Sequence, residues 1–206
     1  MGKLDILDNI SLEVAYREAV VIKGASGSGK TTLLGLMAGL DQASRGEVIL
    51  FGHDLTRKNE EQRAAIRAGQ VGFVFQSFHL VQGATSVQNV MLPLELSGND
   101  DARDLARASL AQVGLESKTD TLVEHLSGGE QQRVAIARAY ATQPRILFAD
   151  EPTGNLDATT GRQIADLMFR LRDQSGTTLV LVTHEADLLE RGDRQILIES
   201  GRLLSN

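Results

Sequence analysis

At 206 residues with 42% apolar side chains, the chain is long enough for one large domain, or a domain carrying an inserted subdomain, around a substantial core. Its 21 basic and 27 acidic residues give a net charge of −6 with no lysine- or arginine-rich block, which disfavours a nucleic-acid surface, and the lack of cysteine excludes disulfides and thiolate metal sites. Met1 to Val14 has neither the basic start nor the apolar core of a secretory signal, and apolar runs such as Leu179 to Val182 are far too short to span a bilayer, so any membrane role is expected to be peripheral.

In chain order, Ile10 to Val14 alternates like a half-exposed strand, and Tyr16-Arg17-Glu18 turns into a second strand, Ala19 to Lys23. A glycine-rich loop and an amphipathic helix, Thr32 to Leu40, follow it. Gly46 to Leu50 and Val71 to Gln76 read as further strands, with a polar helix at Glu60 to Ala68 between them. From Ser77 to about Gln143 the periodicity is helical, with Val87 to Leu96 and Asp101 to Val113 as its clearest stretches. Strand and helix then alternate again: Ile146 to Ala149, a helix from Ala158 to Gln174 capped by Asp157, Thr178 to Thr183, and a hairpin from Arg194 to Leu203 turning at Ser200-Gly201. This order predicts an α/β fold with a mostly parallel sheet, ligands at the carboxyl ends of its strands, and an inserted helical section.

The loop is Gly24-Ala25-Ser26-Gly27-Ser28-Gly29-Lys30-Thr31, followed by Thr32. Its three glycines let successive backbone N–H groups point inward as an anion-binding nest, and the next helix adds the positive end of its dipole. Lys30 is placed to neutralise the β- and γ-phosphates of a nucleotide, and the Thr31 hydroxyl to ligate Mg²⁺ bridging them. A flexible glycine turn capping a helix would not require Lys and Thr at those places. Arg145 to Pro152 is an apolar strand ending in Asp150 and Glu151, where proline stops the ladder. Hydrolysis of a phosphoanhydride needs one carboxylate in the metal's shell and one acceptor for the attacking water, so Asp150 is assigned to Mg²⁺ and Glu151 to the general base. Ser127-Gly128-Gly129-Glu130 has capping-box spacing, yet glycine is poor in a first helical turn, which points to close approach of an anion.

Leu126-Ser127-Gly128-Gly129-Glu130-Gln131-Gln132-Arg133 resembles the signature motif of ATP-binding cassette (ABC) proteins. It occurs with the phosphate loop, Gln76, Asp150-Glu151, Gly154-Asn155-Leu156-Asp157 and His184 in that family's order, over nearly the whole chain. Phe73 to Leu80 and Phe148 to Asp157 resemble the branch containing the LolD, MacB and YbbA ATPases, YbbA most of all. The resemblance implies a P-loop NTPase of the ABC type with an N-terminal antiparallel β portion, as a single domain over 1–206. Its nucleotide-binding core would comprise 1–76 and 144–206, and its helical subdomain, carrying the signature, 77–143. By resemblance Gln76 is a catalytic residue that senses Mg²⁺ and the attacking water, and His184 contacts the γ-phosphate. Asn155 and Asp157 belong to a loop that crosses a dimer interface, and Ser127 to Glu130 of one subunit close over the ATP bound by Gly24 to Thr32 of the other.

The function so implied is ATP hydrolysis driving a separate permease of the FtsX or LolC type, in a homodimer or a paralogue heterodimer on the cytoplasmic face of the inner membrane. The alternatives are a mechanotransmitting ATPase of the FtsE kind and, less favoured because a coiled-coil insertion, a second cassette and a basic patch are lacking, a soluble ABC protein acting on DNA or ribosomes. Relatives place an extra strand and an adenine-stacking aromatic upstream of the stretch matching Ile10 to Val14. Tyr16 is the only aromatic before the loop and is expected to be solvent-exposed, so weak, poorly base-selective nucleotide binding is the expectation.

Overall fold

Apolar runs become buried strands and the helical periodicities become helices in a computed structural model that describes residues 6–205. The order begins β1 (Ala19–Lys23), α1 (Lys30–Met37), β2 (Ile49–Leu50), β3 (His53–Asp54), α2 (Glu60–Arg67) and β4 (Val71–Phe75). It continues with α3 (Ser86–Leu96), α4 (Ala102–Gln112), α5 (Gly128–Tyr140) and β5 (Ile146–Asp150). It ends with α6 (Ala158–Ser175), β6 (Thr178–Val182), α7 (Ala186–Leu189), β7 (Arg194–Glu199) and β8 (Arg202–Ser205). The fold is α/β, its strand pairing mostly parallel, with one small antiparallel sheet. Two compact units form, one from the chain up to Arg67 together with Thr178 onward, the other from Ala68–Thr177.

In the first unit β1 lies between β6 and β7, parallel to both, with Ala19 opposite Leu179 and Val20 opposite Arg194. Ala19 to Ile22 have no exposed surface, which is why this strand reads as an unbroken apolar run: a parallel strand is covered on both faces. α1 packs on β6 and α7 on β1. β8 returns antiparallel to β7 through Ser200 and Gly201, whose φ angles of 47° and 78° suit a two-residue turn with both central residues left-handed. The small antiparallel sheet is the hairpin of β2 and β3.

Two expectations need correction here. Ile10 to Val14 keeps its alternation, with Ile10, Leu12 and Val14 half-buried and Ser11 and Glu13 exposed, but forms no strand because no ladder partner runs beside it among the described residues. The strand expected over Gly46 to Leu50 shrinks to Ile49–Leu50, since Gly46 at φ 90° cannot continue an extended backbone.

In the second unit β4 and β5 are parallel and in register from Val71 opposite Ile146 to Phe75 opposite Asp150. α5 packs on β4, α3, α4 and α6, and buries Val134, Ala135, Ile136, Ala137, Ala139 and Tyr140. α3 starts in a capping box between Thr85 and Gln88, and the buried Asn89 ties it to the preceding loop by accepting from the Val81 N–H at 2.7 Å and donating to the Val81 and Thr85 carbonyls. α6 is capped by Asp157, which accepts from the N–H groups of Thr159 and Thr160, and ends at Gly176 in the left-handed conformation. α3, α4 and α5 lie within the section expected to be helical, and no strand is assigned there among the described residues.

β4 packs closely on the end of α5. A Cβ at Gly72 would sit 2.6 Å from the Ala139 carbonyl oxygen and 2.9 Å from Leu147 Cδ1. Gly72→Ala should therefore lower the unfolding free energy by about 1–3 kcal/mol, as overpacked cores do, measured by urea denaturation.

Candidate functional site

The phosphate loop leaves β1 at Lys23 and is pressed against β7, because a Cβ on Gly24 would collide with the Ile198 carbonyl oxygen and come within 2.7 Å of Ser28 Oγ. Gly29, at φ 101°, begins α1 without a side-chain cap, so the first-turn N–H groups have no capping oxygen supplied by that residue. Lys30 Nζ lies over the loop and donates to the carbonyls of Gly24 and Ala25, at 2.9 Å each. Ser28 is buried, and its hydroxyl has no hydrogen-bond partner among the described residues. Ala25, Ser26, Gly27 and Thr31 are exposed, Thr32 half-buried. An uncapped helix start, a cation lying over the loop and an unpartnered buried hydroxyl are a donor set that fits a polyphosphate.

His184 belongs to the same unit. The Thr183 N–H donates to the Ile22 carbonyl at 3.2 Å, so β6 and β1 run side by side to their carboxyl ends, from which His184 and the phosphate loop leave. His184 is exposed. Tyr16 is 69% exposed, as its sequence position implied, with the Arg17 guanidinium 5.2 Å from its ring centroid.

The second unit brings together Gln76, Asp150, Glu151 and Asn155. Phase-matched ends of β4 and β5 place Gln76 and Glu151 one step beyond the Phe75–Asp150 pair. Gln76 and Asn155 clasp each other: the Gln76 amide donates to Asn155 Oδ1 at 3.0 Å, and the Asn155 amide donates to the Gln76 carbonyl at 2.9 Å. Gly154 permits this, since a Cβ there would lie 3.0 Å from Gln76 Nε2. Glu151 stands at φ 45°, a left-handed backbone that costs a non-glycine residue about 1–2 kcal/mol. Such a conformation persists where its surroundings hold it and clusters at functional sites. The turn that holds it is closed by the Gly154 N–H donating to the Glu151 carbonyl at 3.0 Å.

At the start of α5 the capping box forms: the Ser127 hydroxyl accepts from the Glu130 N–H, and the Glu130 carboxylate accepts from the Ser127 N–H at 2.9 Å. The Ser127 N–H foremost, and then the Ser127 hydroxyl, which also donates to the carboxylate at 2.9 Å, hold the Glu130 carboxyl below the ordinary glutamate range. The stability the box contributes is thus complete above the unfolded-state value and is lost as pH falls through the lowered one. The two glycines in the box have different reasons to be there. A Cβ on Gly129 would meet Thr160 Cγ2 at 2.5 Å, so close packing on α6 favours glycine there unless the Thr160 methyl shifts. One on Gly128 would make only ordinary contacts, 3.5 Å to Leu156 Cδ2 and 3.8 Å to Phe78 Cζ, and Gly128 is exposed. Among the described residues no neighbour excludes a Cβ at Gly128. Asp157 is the α6 N-cap, and the Thr160 hydroxyl and backbone lower its carboxyl.

The Thr31 hydroxyl of the first unit and, in the second, the Asp150 carboxylate and the Gln76 amide oxygen are each hard oxygen donors. That chemistry fits Mg²⁺, which takes few protein ligands beside phosphate and water. The residue missed in the sequence is Gln132, fully buried on the α5 face shared with Ala135, Ile136 and Ala139. A glutamine in phase with a buried helical stripe was the signal.

Comparison with known proteins follows the same lines. The family model described as ABC transporter matches residues 7–154. The chain is 51% identical over 203 residues to the ABC transporter ATP-binding protein YbbA of Escherichia coli (strain K12), covering 98% of this chain and 89% of that one. It is 43% identical to the lipoprotein-releasing system ATP-binding protein LolD of Legionella pneumophila (strain Paris), covering 98% and 90%. Among solved structures, a dimeric ATP-binding cassette in a post-hydrolysis state bound to ADP and Pi superposes with a TM-score of 0.89 at 37% identity, over 97% of this chain and 89% of that chain.

The two glycines of the box should separate experimentally. Gly129→Ala should lose about 1–3 kcal/mol of stability through its clash with Thr160, whereas Gly128→Ala should unfold in urea within about 0.5 kcal/mol of the wild type.

Proposed function

The chain belongs to the ABC transporter family of ATP-binding proteins, and from that premise we propose that it is the subunit that drives a separate membrane permease by nucleotide-dependent closure of a dimer. Its reaction is ATP hydrolysis, and ATP is its ligand. The observation that carries the reading is the phosphate loop, with its uncapped helix start, Lys30 lying over it and the unpartnered Ser28 hydroxyl.

In this reading the backbone of Gly24 to Thr32 holds the phosphates, and Lys30 exchanges two loop carbonyls for the β- and γ-phosphate oxygens. Thr31, Asp150 and Gln76 supply the ligands of Mg²⁺, which when bound neutralises charge on the transferred phosphoryl group. Glu151 accepts the proton of the water that attacks the γ-phosphorus as the bond to ADP breaks, and His184 hydrogen-bonds the γ-phosphate. Asn155 orients Gln76, and Asp157 lies in the loop that crosses to the second copy.

Ser127, Gly128, Gly129 and Glu130 of that second copy close over the nucleotide. The exposed Gly128, which this chain's own packing does not require, and the dimeric state of the superposable cassette support this arrangement. ATP contacts shared by two subunits favour the closed dimer, and loss of the γ-phosphate releases it. No helix of the described residues is long and apolar enough to cross a membrane. We place the protein at the cytoplasmic face of the inner membrane, with a permease of the FtsX or LolC type, a reading supported by likeness to an ATP-binding protein of a lipoprotein-releasing system.

Glu151→Gln should bind ATP and hydrolyse it about 10²–10⁴-fold more slowly, accumulating as an ATP-bound dimer in size-exclusion chromatography. Lys30→Ala should instead lose ATP binding in a titration. Turnover of Glu151→Gln near the wild-type rate would remove the general-base assignment. Mixing Lys30→Ala with Ser127→Arg should restore hydrolysis above either variant alone, because each mixed dimer keeps one intact composite site. Mixed dimers that form yet recover no activity would refute the shared site.

A further inference from the structure

Gln132 is fully buried in the second turn of α5, two residues beyond the signature box. Its Nε2 donates to the Pro152 carbonyl at 2.5 Å and lies 3.4 Å from the Phe75 carbonyl. Phe75 immediately precedes Gln76, and Pro152 immediately follows Glu151. One side chain therefore reaches the backbone beside both residues. Its Oε1 is buried and has no hydrogen-bond partner among the described residues. If this position served only packing, methionine or leucine would fill it without burying an amide that leaves one acceptor unsatisfied. The same helix grips the segment after β4 a second time, where the Arg138 guanidinium donates to the His79 carbonyl at 2.7 Å and the Phe78 carbonyl at 3.0 Å. Both of those residues have left-handed backbones, with φ of 60° at Phe78 and 48° at His79.

We propose that Gln132 is a positioning residue for hydrolysis: its amide fixes the backbone on either side of Gln76 and Glu151, and so ties the helix that begins at Ser127 to both. The proposal rests on the ATPase reading above. Through Pro152 the amide braces the turn in which Glu151 holds its left-handed backbone, and through Phe75 it sets the point from which Gln76 departs. A displacement of α5 on dimer closure then moves Gln76 and Glu151 together. Nucleotide affinity, which resides mainly in the phosphate loop and Lys30, stays outside this linkage.

The test is Gln132→Met, which keeps length and volume and removes the N–H donor, with Gln132→Asn, whose amide is one methylene too short for both carbonyls, as the second variant should the first fail to fold. ATP titration gives the dissociation constant and the number of competent sites, steady-state hydrolysis gives kcat and KM, and hydrogen–deuterium exchange reads the backbone. Expected are a kcat per competent site reduced at least tenfold, KM and the dissociation constant within twofold of wild type, and faster exchange confined to residues 76–79 and 151–155. A kcat per competent site within twofold of wild type, or faster exchange spread over the whole of residues 68–177, would overturn the proposal. Glu151→Gln run in parallel separates the two failures. If wild type itself hydrolyses no ATP, the ATPase reading falls and the proposal with it; if Glu151→Gln turns over at the wild-type rate, the general-base assignment falls; if it is slow while Gln132→Met is normal, only the proposal falls.

Discussion

A polyphosphate can be held by backbone N–H groups only if the chain turns sharply at the end of a rigid strand, and the closest approach that makes this turn possible is at Gly24. With no Cβ there, the loop lies directly against the Ile198 carbonyl and β7, and the strand that feeds it is buried and paired on both sides. Any side chain at that position would push the loop off the Ile198 carbonyl. The loop is thus built from the packing of β1 outward, and Lys30 and Thr31 owe their positions to it.

The second unit meets the same requirement by a different route. In the proposed chemistry Gln76, Asp150 and Glu151 act through their side chains, so their backbones have to be held, and the register of β4 with β5 does most of this. What the ladder cannot fix lies one residue past its end, where Glu151 adopts a left-handed backbone and Gln76 reaches Asn155. Hydrogen bonds that cross from neighbouring elements take over there. Rigid strands thus deliver the residues, and short bonded turns aim them.

Legibility in the sequence followed the range of the interaction that decides each feature. β5 and β6 were readable because parallel strands covered on both faces leave unbroken apolar runs, and the motifs because their spacing is a local property. Ile10 to Val14 was misread because alternation records which side chains are exposed, while a strand also needs a partner. The two glycines of the signature differ only through a distant neighbour, Thr160, which crowds Gly129 and leaves Gly128 with ordinary contacts. Glu151 gave no hint of positive φ, since its residue type is indifferent to the turn that imposes it. The buried stripe of α5 marks Gln132 as an oddity, but what it bonds is not legible, because its partners are 20 and 57 residues away in sequence.

The charge balance poses a last question, since a protein of net charge −6 is assigned a polyanionic ligand. Distance resolves it. At physiological ionic strength exposed charges are largely screened beyond about 8 Å, so the acidic surplus spread over the surface contributes little at the loop. What the phosphates meet is local: Lys30, the dipole of α1 and a first turn without acidic side chains. Net charge therefore speaks to solubility, while in the proposed reading nucleotide binding is decided within one loop and one helical turn.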